Sequence, residues 1–285
     1  MLPQTTRETP RPLRQPNKRA GGPRPTTFRD QRQPLWAHSG AARLELKAIA
    51  RQAALEFANY IGARLEGMRI LAGADSHGNL DVVSWFVDAA RSRQVETIVL
   101  AGDLLGFTDE VEDPEEDQAL NARRIEAALM EAGIPIFYIM GNDDLVELEP
   151  EEGKLVPLHN RRVESGDFNF VGYQYSLPWM GGDLEKPDEE IEEGLKLIEG
   201  YLDSRTVLVT HSPAHAILDP GAGPLKIGSR ALRALLDKHP VRAHIHGHSH
   251  SGFGRDGNHF NVASAYSKRA MLIDLETLEH EVLHD

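Results

Sequence analysis

The sequence predicts an α/β protein in which short buried strands alternate with amphipathic helices. Two observations support this fold class: short apolar runs recur from Met68 onward, and stripes of apolar residues at helical spacing lie between them. A chain of 285 residues that is 40% hydrophobic can bury one substantial core of this kind. We therefore expect one domain over residues 68–285, preceded by two N-terminal segments of different character.

The N-terminal segments differ from the domain in composition. Residues 1–34 contain eight Lys or Arg residues against two Asp or Glu residues, together with seven of the chain's 17 prolines. Such a composition cannot bury a core, so we expect a disordered basic tail over residues 1–40, with a transit peptide as the alternative. Residues 41–67 carry apolar residues at helical spacing and end in a glycine, which predicts an amphipathic helix.

Composition also limits the function. The chain has no cysteine, which excludes a disulfide scaffold, a thiolate zinc site and a cysteine nucleophile. No apolar run is long enough to span a bilayer. Beyond residue 34 the chain has 23 basic and 42 acidic residues, a net charge of −19. We expect a soluble, cytoplasmic protein that does not bind membranes and, because its body is acidic, does not bind nucleic acid strongly.

Strands and helices can be assigned in order along the first half. Buried strands are predicted at residues 69–75, 96–103 and 134–142, and helices at residues 82–90 and 119–133. This β-α-β-α-β order indicates parallel pairing with right-handed crossovers. The polar residues that follow such strands meet at one edge of the sheet, which is where open α/β sheets place their sites.

The second half has a different arrangement. A hairpin is predicted around residues 165–167, followed by an acidic helix at residues 187–201. Strands are predicted at residues 205–211 and 241–247 with a helix at residues 228–240 between them, and three short strands close the chain. We find no internal repeat and expect the two halves to form two sheets packed face to face.

Possible metal ligands follow five of the predicted strands. They are oxygen or imidazole donors, several of them beside a glycine: Asp75, His77, Asp103, Asn142, His211, His248 and His250. Each has an ordinary explanation when taken alone, because an Asp or Asn after a strand usually caps a turn and a lone His usually lies at the surface. Together they are what two neighbouring cations with one shared carboxylate require, whereas a single zinc ion needs only about four ligands.

The order of these donors resembles the motifs of the calcineurin-like metallophosphoesterases. The family pattern D-x-H, G-D, G-N-(H/D/C), H and G-H-x-H stands here as Asp75-Ser76-His77, Gly102-Asp103, Gly141-Asn142-Asp143, His211 and Gly247-His248-Ser249-His250. The stretches "LVTHSPAHAILD" and "IGSRALRALL" further resemble a branch related to cyclic-nucleotide phosphodiesterases. The resemblance begins at Met68, extends to Leu275 and implies a four-layer α-β-β-α sandwich.

The resemblance also implies two metal ions and assigns the ligands to them. One ion is expected on Asp75, His77 and His250, the other on Asn142, His211 and His248, with Asp103 bridging the two. Manganese is the expected metal, with iron, zinc or nickel as alternatives. His244 and His246 match no ligand position and are expected to be strand residues that line the approach to the site.

The implied reaction is hydrolysis of a phosphodiester, either a nucleotide or another small diester. A hydroxide that bridges the two ions would attack the phosphorus in line. A phosphomonoesterase and a pyrophosphatase acting on a nucleotide or lipid precursor are the enzymatic alternatives. A non-catalytic interaction module on the same fold is a third, although such a module has no need for all seven ligands. The expected partner is a small phosphoester substrate.

Two departures from the family pattern bear on the substrate. Asp143 stands where the phosphatases often have a His that serves the leaving oxygen, and no arginine follows closely after Asp103. With less positive charge at the site, a monoanionic diester is favoured over a dianionic monoester. Asp143 is thus a candidate catalytic residue that would anchor the groups beside the metals. The alternative is that it only caps the following turn. His215 is a candidate substitute proton donor, or else a surface histidine.

Two further features receive ordinary interpretations. Residues 108–117 are expected to form a solvated acidic loop, whose position after Asp103 could also restrict access to the site. Trp179 is expected to pack against the predicted hairpin, with stacking on a nucleotide base as the alternative.

The basic tail generates the first prediction. Deleting residues 1–34 should leave folding and the hydrolysis of a small diester nearly unchanged, because this segment has almost no apolar area to bury. The melting temperature and the activity of the truncated protein, each compared with the full chain, check this. A large drop in melting temperature would show that the tail packs on the domain.

Overall fold

The computed structural model describes residues 67–106, 113–148, 153–221 and 225–285. The tail predicted at residues 1–40 lies outside these ranges, as does all of the helix predicted at residues 41–67 except its last residue. Among the described residues, no helix is both long enough and apolar enough to cross a membrane. The described residues therefore belong almost entirely to the domain predicted over residues 68–285.

The described residues form twelve strands and four α-helices. In chain order the strands are β1 (Arg69–Gly73), β2 (Thr97–Ala101), β3 (Ile136–Ile139), β4 (Leu155–Pro157), β5 (Arg162–Ser165), β6 (Phe168–Tyr173), β7 (Thr206–Thr210), β8 (Ala243–His246), β9 (Gly254–Asp256), β10 (His259–Asn261), β11 (Arg269–Asp274) and β12 (His280–His284). The helices are α1 (Leu80–Arg93), α2 (Pro114–Met130), α3 (Asp188–Glu199) and α4 (Arg230–Lys238).

The strands belong to two six-stranded mixed sheets. The first has the order β12-β11-β1-β2-β3-β4, in which β1 to β4 run parallel. The second has the order β5-β6-β7-β8-β10-β9, in which the four inner strands run parallel and the two edge strands antiparallel. The carboxyl ends of the parallel strands therefore share one edge in each sheet, and the polar residues that follow them are brought together.

The two sheets pack face to face between outer helices. The central core joins residues of both sheets, and within it the rings of Phe137 on β3 and Phe170 on β6 lie 4.8 Å apart. Apolar residues of α1 and α2 cover the outer face of the first sheet, and those of α3 and α4 cover the outer face of the second. The structure thus confirms the predicted four-layer α-β-β-α sandwich.

Most boundaries of the predicted helices and inner strands shift by one to three residues, and two differences are larger. Helix α2 begins at Pro114 because the side chain of Asp113 accepts hydrogen bonds from the N–H groups of Glu115 and Glu116, and a proline suits the first turn. Residues 114–117 are therefore helical rather than part of an acidic loop, while residues 108–112 lie outside the described ranges. The sequence also does not predict β4 and β9, since three residues show too little periodicity.

Candidate metal centre

The predicted metal ligands lie together at the carboxyl edge of the two sheets. Atoms of six of these ligands and of Asp143 form three groups, each with all its atoms within 4.8 Å of one another: Asp75, His77 and His250; Asp103, His211 and His248; and His77, Asp103 and Asp143. The seventh predicted ligand, Asn142, lies beside them with its Oδ1 3.0 Å from Nε2 of His211. Asp103 and His77 each occur in two groups, so the three groups form one contiguous cluster. The side chains come from the loops after β1, β2, β3, β7 and β8.

Asp103 joins the loops after β2, β3 and β7. Its Oδ2 lies 3.3 Å from Nε2 of His211, and its Oδ1 accepts a 2.9 Å hydrogen bond from the backbone N–H of Asp143. Nδ1 of His211 lies 2.8 Å from the carbonyl oxygen of Ala101. A carbonyl can only accept, so Nδ1 carries the hydrogen and Nε2 is left facing Asp103 and, at 3.0 Å, Oδ1 of Asn142.

The other half of the cluster is built on Asp75. Its Oδ1 lies 3.1 Å from Nε2 of His250, and that nitrogen lies 3.3 Å from Nε2 of His77. Both carboxylate oxygens of Asp75 also accept the backbone N–H of His248 at 3.1 Å. Oδ2 of Asp143 lies 3.0 Å from Nδ1 of His77, which places the hydrogen on Nδ1 and directs Nε2 toward His250.

The cluster has an excess of acceptor atoms, which fits the binding of cations. The Nε2 lone pair of His211 faces the oxygens of Asp103 and Asn142, an arrangement that is repulsive unless a cation or a proton lies between them. Burial opposes a charged imidazole, yet the Asp103 carboxylate raises the pKa of His211 to about 10. This position therefore strongly favours positive charge, and its nitrogen and oxygen donors suit divalent transition ions.

The backbone is strained at four of the seven predicted ligands. These four are non-glycine residues in the left-handed region, with φ of 58° at Asp75, 45° at His77, 51° at Asp103 and 65° at His248. Each such position costs about 1–3 kcal/mol and persists only where the surrounding structure determines it. The hydrogen bonds to the carboxylates of Asp75 and Asp103 provide that support and aim the side chains at one another.

Gly141 and Gly247 allow the loops to approach this closely. A Cβ atom at Gly141 would stand 2.2 Å from Oδ1 of Asp103, and one at Gly247 would stand 2.4 Å from Oδ2 of Asp75. Neither distance is possible for a real side chain, so these two glycines set the position of the carboxylates. In the sequence each glycine stands directly before a predicted ligand, Asn142 or His248, and this pattern indicates a tight turn.

Two buried residues that hold the loops are missed by the sequence analysis. Asp144 accepts three backbone hydrogen bonds, two from the loop after β2 and one from Gly141, and so joins two loops of the cluster. Burial and the nearby Asp103 carboxylate nevertheless raise the pKa of Asp144 to about 7. Gln118 on α2 binds backbone groups of the loop after β3 in the same way. The sequence could not predict these two roles, because a single polar residue that binds backbone groups leaves no periodic pattern.

Of the two candidate catalytic residues, the structure places only Asp143 at the cavity. Asp143 lines the cavity in front of the cluster and contacts His77, as an anchor for a metal-binding side chain would. Nδ1 of His215 instead lies 3.7 Å from Oδ2 of Asp219, and His215 is not among the described residues that line this cavity. The catalytic role of Asp143 and the role of His215 as a proton donor both stay predictions.

Three expectations about neighbouring side chains are wrong. His244 and His246 are strand residues as expected, but they do not line the approach. They are buried in β8, where burial lowers the pKa of His246 to about 3 and His244 contacts Thr210 at 2.8 Å. Strand β8 is an inner strand of a sandwich, so both of its faces are covered. Trp179, expected to pack against the hairpin, instead lines the cavity and is 55% exposed.

Comparisons with known proteins agree with the predicted family and with the observed fold. The family model of the calcineurin-like phosphoesterases matches residues 68–252. The fold is similar to that of the protein TT1561 of Thermus thermophilus, with a TM-score of 0.59, 18% identity, and 76% of this chain and 99% of that chain covered. It is also similar to a dimetal phosphatase from Danio rerio, with a TM-score of 0.52, 13% identity, and 77% and 99% covered. Identities this low show the fold alone, and no curated protein matches the sequence.

The close approach at Gly141 generates a prediction about metal binding. Gly141→Ala should displace the Asp103 carboxylate and weaken manganese binding by about tenfold or more, a typical cost of disturbing the support of a metal ligand. Calorimetric titration with Mn²⁺ measures this. The control is Gly200→Ala, because a Cβ there meets nothing within 4 Å and φ is −69°. Equal affinities in the two variants would show that the spacing at Gly141 does not matter.

Proposed function

The chain belongs to the calcineurin-like phosphoesterase family, and we propose that it is a phosphodiesterase that hydrolyses a small monoanionic diester. The observation that carries this proposal is the contiguous cluster of ligand atoms around Asp103, which opens into a cavity of about 500 Å³. A cavity of this volume suits a small molecule with most of its surface buried.

We assign the ligands to two cations that share one carboxylate. Asp75, His77 and His250 would hold the first, Asn142, His211 and His248 would hold the second, and Asp103 would be available to both. Bound there, the cations would activate the attacking water and offset charge on the phosphoryl oxygens. Manganese is the proposed metal because nitrogen and oxygen donors without sulfur suit it, and the cytoplasm is the proposed location of this cysteine-free chain.

The protein's own contribution is to fix its donors before substrate arrives. The carbonyl of Ala101 orients His211 and the carboxylate of Asp143 orients His77, so that each imidazole keeps Nε2 free for a ligand bond. Backbone N–H groups hold the two buried carboxylates of the cluster. Donors held in this way need no reorientation during the reaction, which is a large part of catalysis at charged centres.

The charge around the cavity supports a preference for diesters. Among the described residues, no Lys or Arg side chain lines the cavity, whereas the carboxylate of Asp143 does. A dianionic monoester brings one more negative charge to this carboxylate than a diester brings. At short range that repulsion is about 1 kcal/mol or more, which is enough to affect the choice of substrate.

A purely structural role explains the cluster less well. An interaction module gains nothing from seven convergent ligands, and it would retain four strained backbone positions at no benefit. Hydrolysis of monoesters or of pyrophosphate bonds uses the same cluster, so these alternatives must be distinguished by measured substrate preference.

Loss of the shared ligand tests the proposed activity. Asp103→Ala should lose most of the bound metal and lower kcat/KM for bis-p-nitrophenyl phosphate by roughly a thousandfold or more, because both ligand sets use this carboxylate. The control is Asp88→Ala, an exposed carboxylate on α1. Metal content and initial rates are measured together. Turnover that survives in Asp103→Ala, or in the presence of a chelator, would contradict a dinuclear mechanism.

A second variant tests the argument from charge. Asp143→Asn keeps an oxygen that can accept from Nδ1 of His77 but removes the negative charge beside the cluster. The ratio of kcat/KM for p-nitrophenyl phosphate to that for bis-p-nitrophenyl phosphate should therefore rise about fivefold, the equivalent of about 1 kcal/mol. Asp143→His should raise the ratio further, because it adds a proton donor near the leaving oxygen. If the ratio is unchanged in both variants, or shifts toward the diester, Asp143 does not determine the preference for diesters.

A further inference from the structure

The lining of the cavity beside the metal cluster includes large apolar side chains, which we call the apolar wall. Three large side chains on it are exposed to solvent, Met180 by 74%, Tyr266 by 58% and Trp179 by 55%. They come from two loops that are far apart in the sequence, the loop after β6 and the loop before β11. Large apolar groups left uncovered beside a polar centre are a mark of a binding surface.

The loop that carries Trp179 and Met180 is held in a fixed shape. The carboxylate of Glu185 accepts hydrogen bonds from the backbone N–H groups of Trp179 at 2.7 Å, Met180 at 2.9 Å and Gly181 at 2.8 Å. Glu185 itself is only 8% exposed. A buried carboxylate that satisfies three consecutive N–H groups fixes the backbone. The exposure of the two side chains is therefore a property of an ordered turn.

The same turn lies directly against the metal cluster. A Cβ atom at Gly182 would stand 3.0 Å from the backbone oxygen of Asn142, one of the proposed ligands. Gly181 next to it has φ of 88°, which a side chain rarely tolerates. These two glycines let the turn approach Asn142 and place Trp179 and Met180 at the side of the centre.

Tyr266 adds a second aromatic surface. Its ring stacks on that of His77 with centroids 4.5 Å apart and planes 22° apart, and it meets the ring of His250 edge-on at 6.0 Å. Its φ of 64° is unusual for a bulky residue and turns the side chain toward the cluster. Tyr266 thus combines a contact with two proposed ligands and an exposed face in the cavity.

We propose that Trp179, Met180 and Tyr266 bind a planar aromatic group on one alcohol of the diester, an inference that rests on the proposed function. The substrate class is then a monoanionic phosphodiester with an aromatic arm, such as a nucleobase or an aryl group. The metal cluster takes the phosphate, and the arm lies on the apolar wall. Stacking of a ring on an aromatic side chain is tolerant of ring identity, so the wall selects planarity rather than one particular ring.

Binding of two stable analogues tests this proposal without hydrolysis. The methyl and benzyl monoesters of methylphosphonic acid carry the same single negative charge and differ only in the aromatic arm. Calorimetry with the manganese-loaded full chain should give a Kd for the benzyl ester about tenfold or more below that for the methyl ester. Trp179→Ala should remove most of this difference without changing the Kd of the methyl ester, and Trp179→Phe should keep most of it.

The control variant is Tyr201→Ala, which removes an aromatic side chain that is exposed but does not line the cavity. It should leave both Kd values unchanged. Equal Kd values for the two esters in the wild type, or a preference for benzyl that survives Trp179→Ala, would overturn the proposal while leaving the proposed function standing. Failure of the chain to hydrolyse any diester with manganese would instead defeat the proposed function.

Discussion

The buried carboxylate of Asp103 is the constraint on which the rest of the site depends. A buried charge costs several kcal/mol unless its oxygens are satisfied, and here one oxygen accepts the N–H of Asp143 while the other faces His211. Those partners come from the loops after β3 and β7, on two different sheets. The sandwich must therefore bring both sheet edges to within hydrogen-bonding distance, and Gly141 makes that approach possible.

Gathering acidic groups at one edge of the sheets makes their charged forms less favourable, and the surrounding loops show this effect. Asp144 holds two of these loops together, although burial and, to a smaller extent, the nearby Asp103 carboxylate raise its pKa and disfavour the charged form. The guanidinium of Arg269 donates to the carbonyl oxygens of Ala263 and His250, and Arg269 does not line the cavity. The described lining of the cavity thus contains carboxylates but no Lys or Arg, a charge balance that favours cations there.

The sequence predicts the ligand set because each ligand follows a buried strand and often stands beside a glycine, and parallel strands end at a common edge. It does not predict features that depend on a single hydrogen bond from one side chain to the nearby backbone, because such a bond leaves no periodic pattern in the sequence. Helix α2 begins early because of a cap at Asp113, and Trp179 faces the cavity because Glu185 binds the turn that carries it. His244 and His246 show a third limit, since an inner strand is buried on both faces and alternation carries no information there.

The proposed preference for a monoanion also implies a limit on how tightly the protein would hold any phosphate. Because no Lys or Arg belongs to the described lining of the cavity, the proposed cations would supply most of the positive charge that binds a phosphoryl group. Interactions with a part of the substrate that does not react must then supply the remaining affinity and fix its orientation. Trp179, Met180 and Tyr266, which we propose bind an aromatic arm, offer exposed surface in the cavity for such interactions. In the proposed reaction, charge at Asp143 and apolar area on the wall would therefore act on different parts of one substrate, the first on its phosphate and the second on its alcohol.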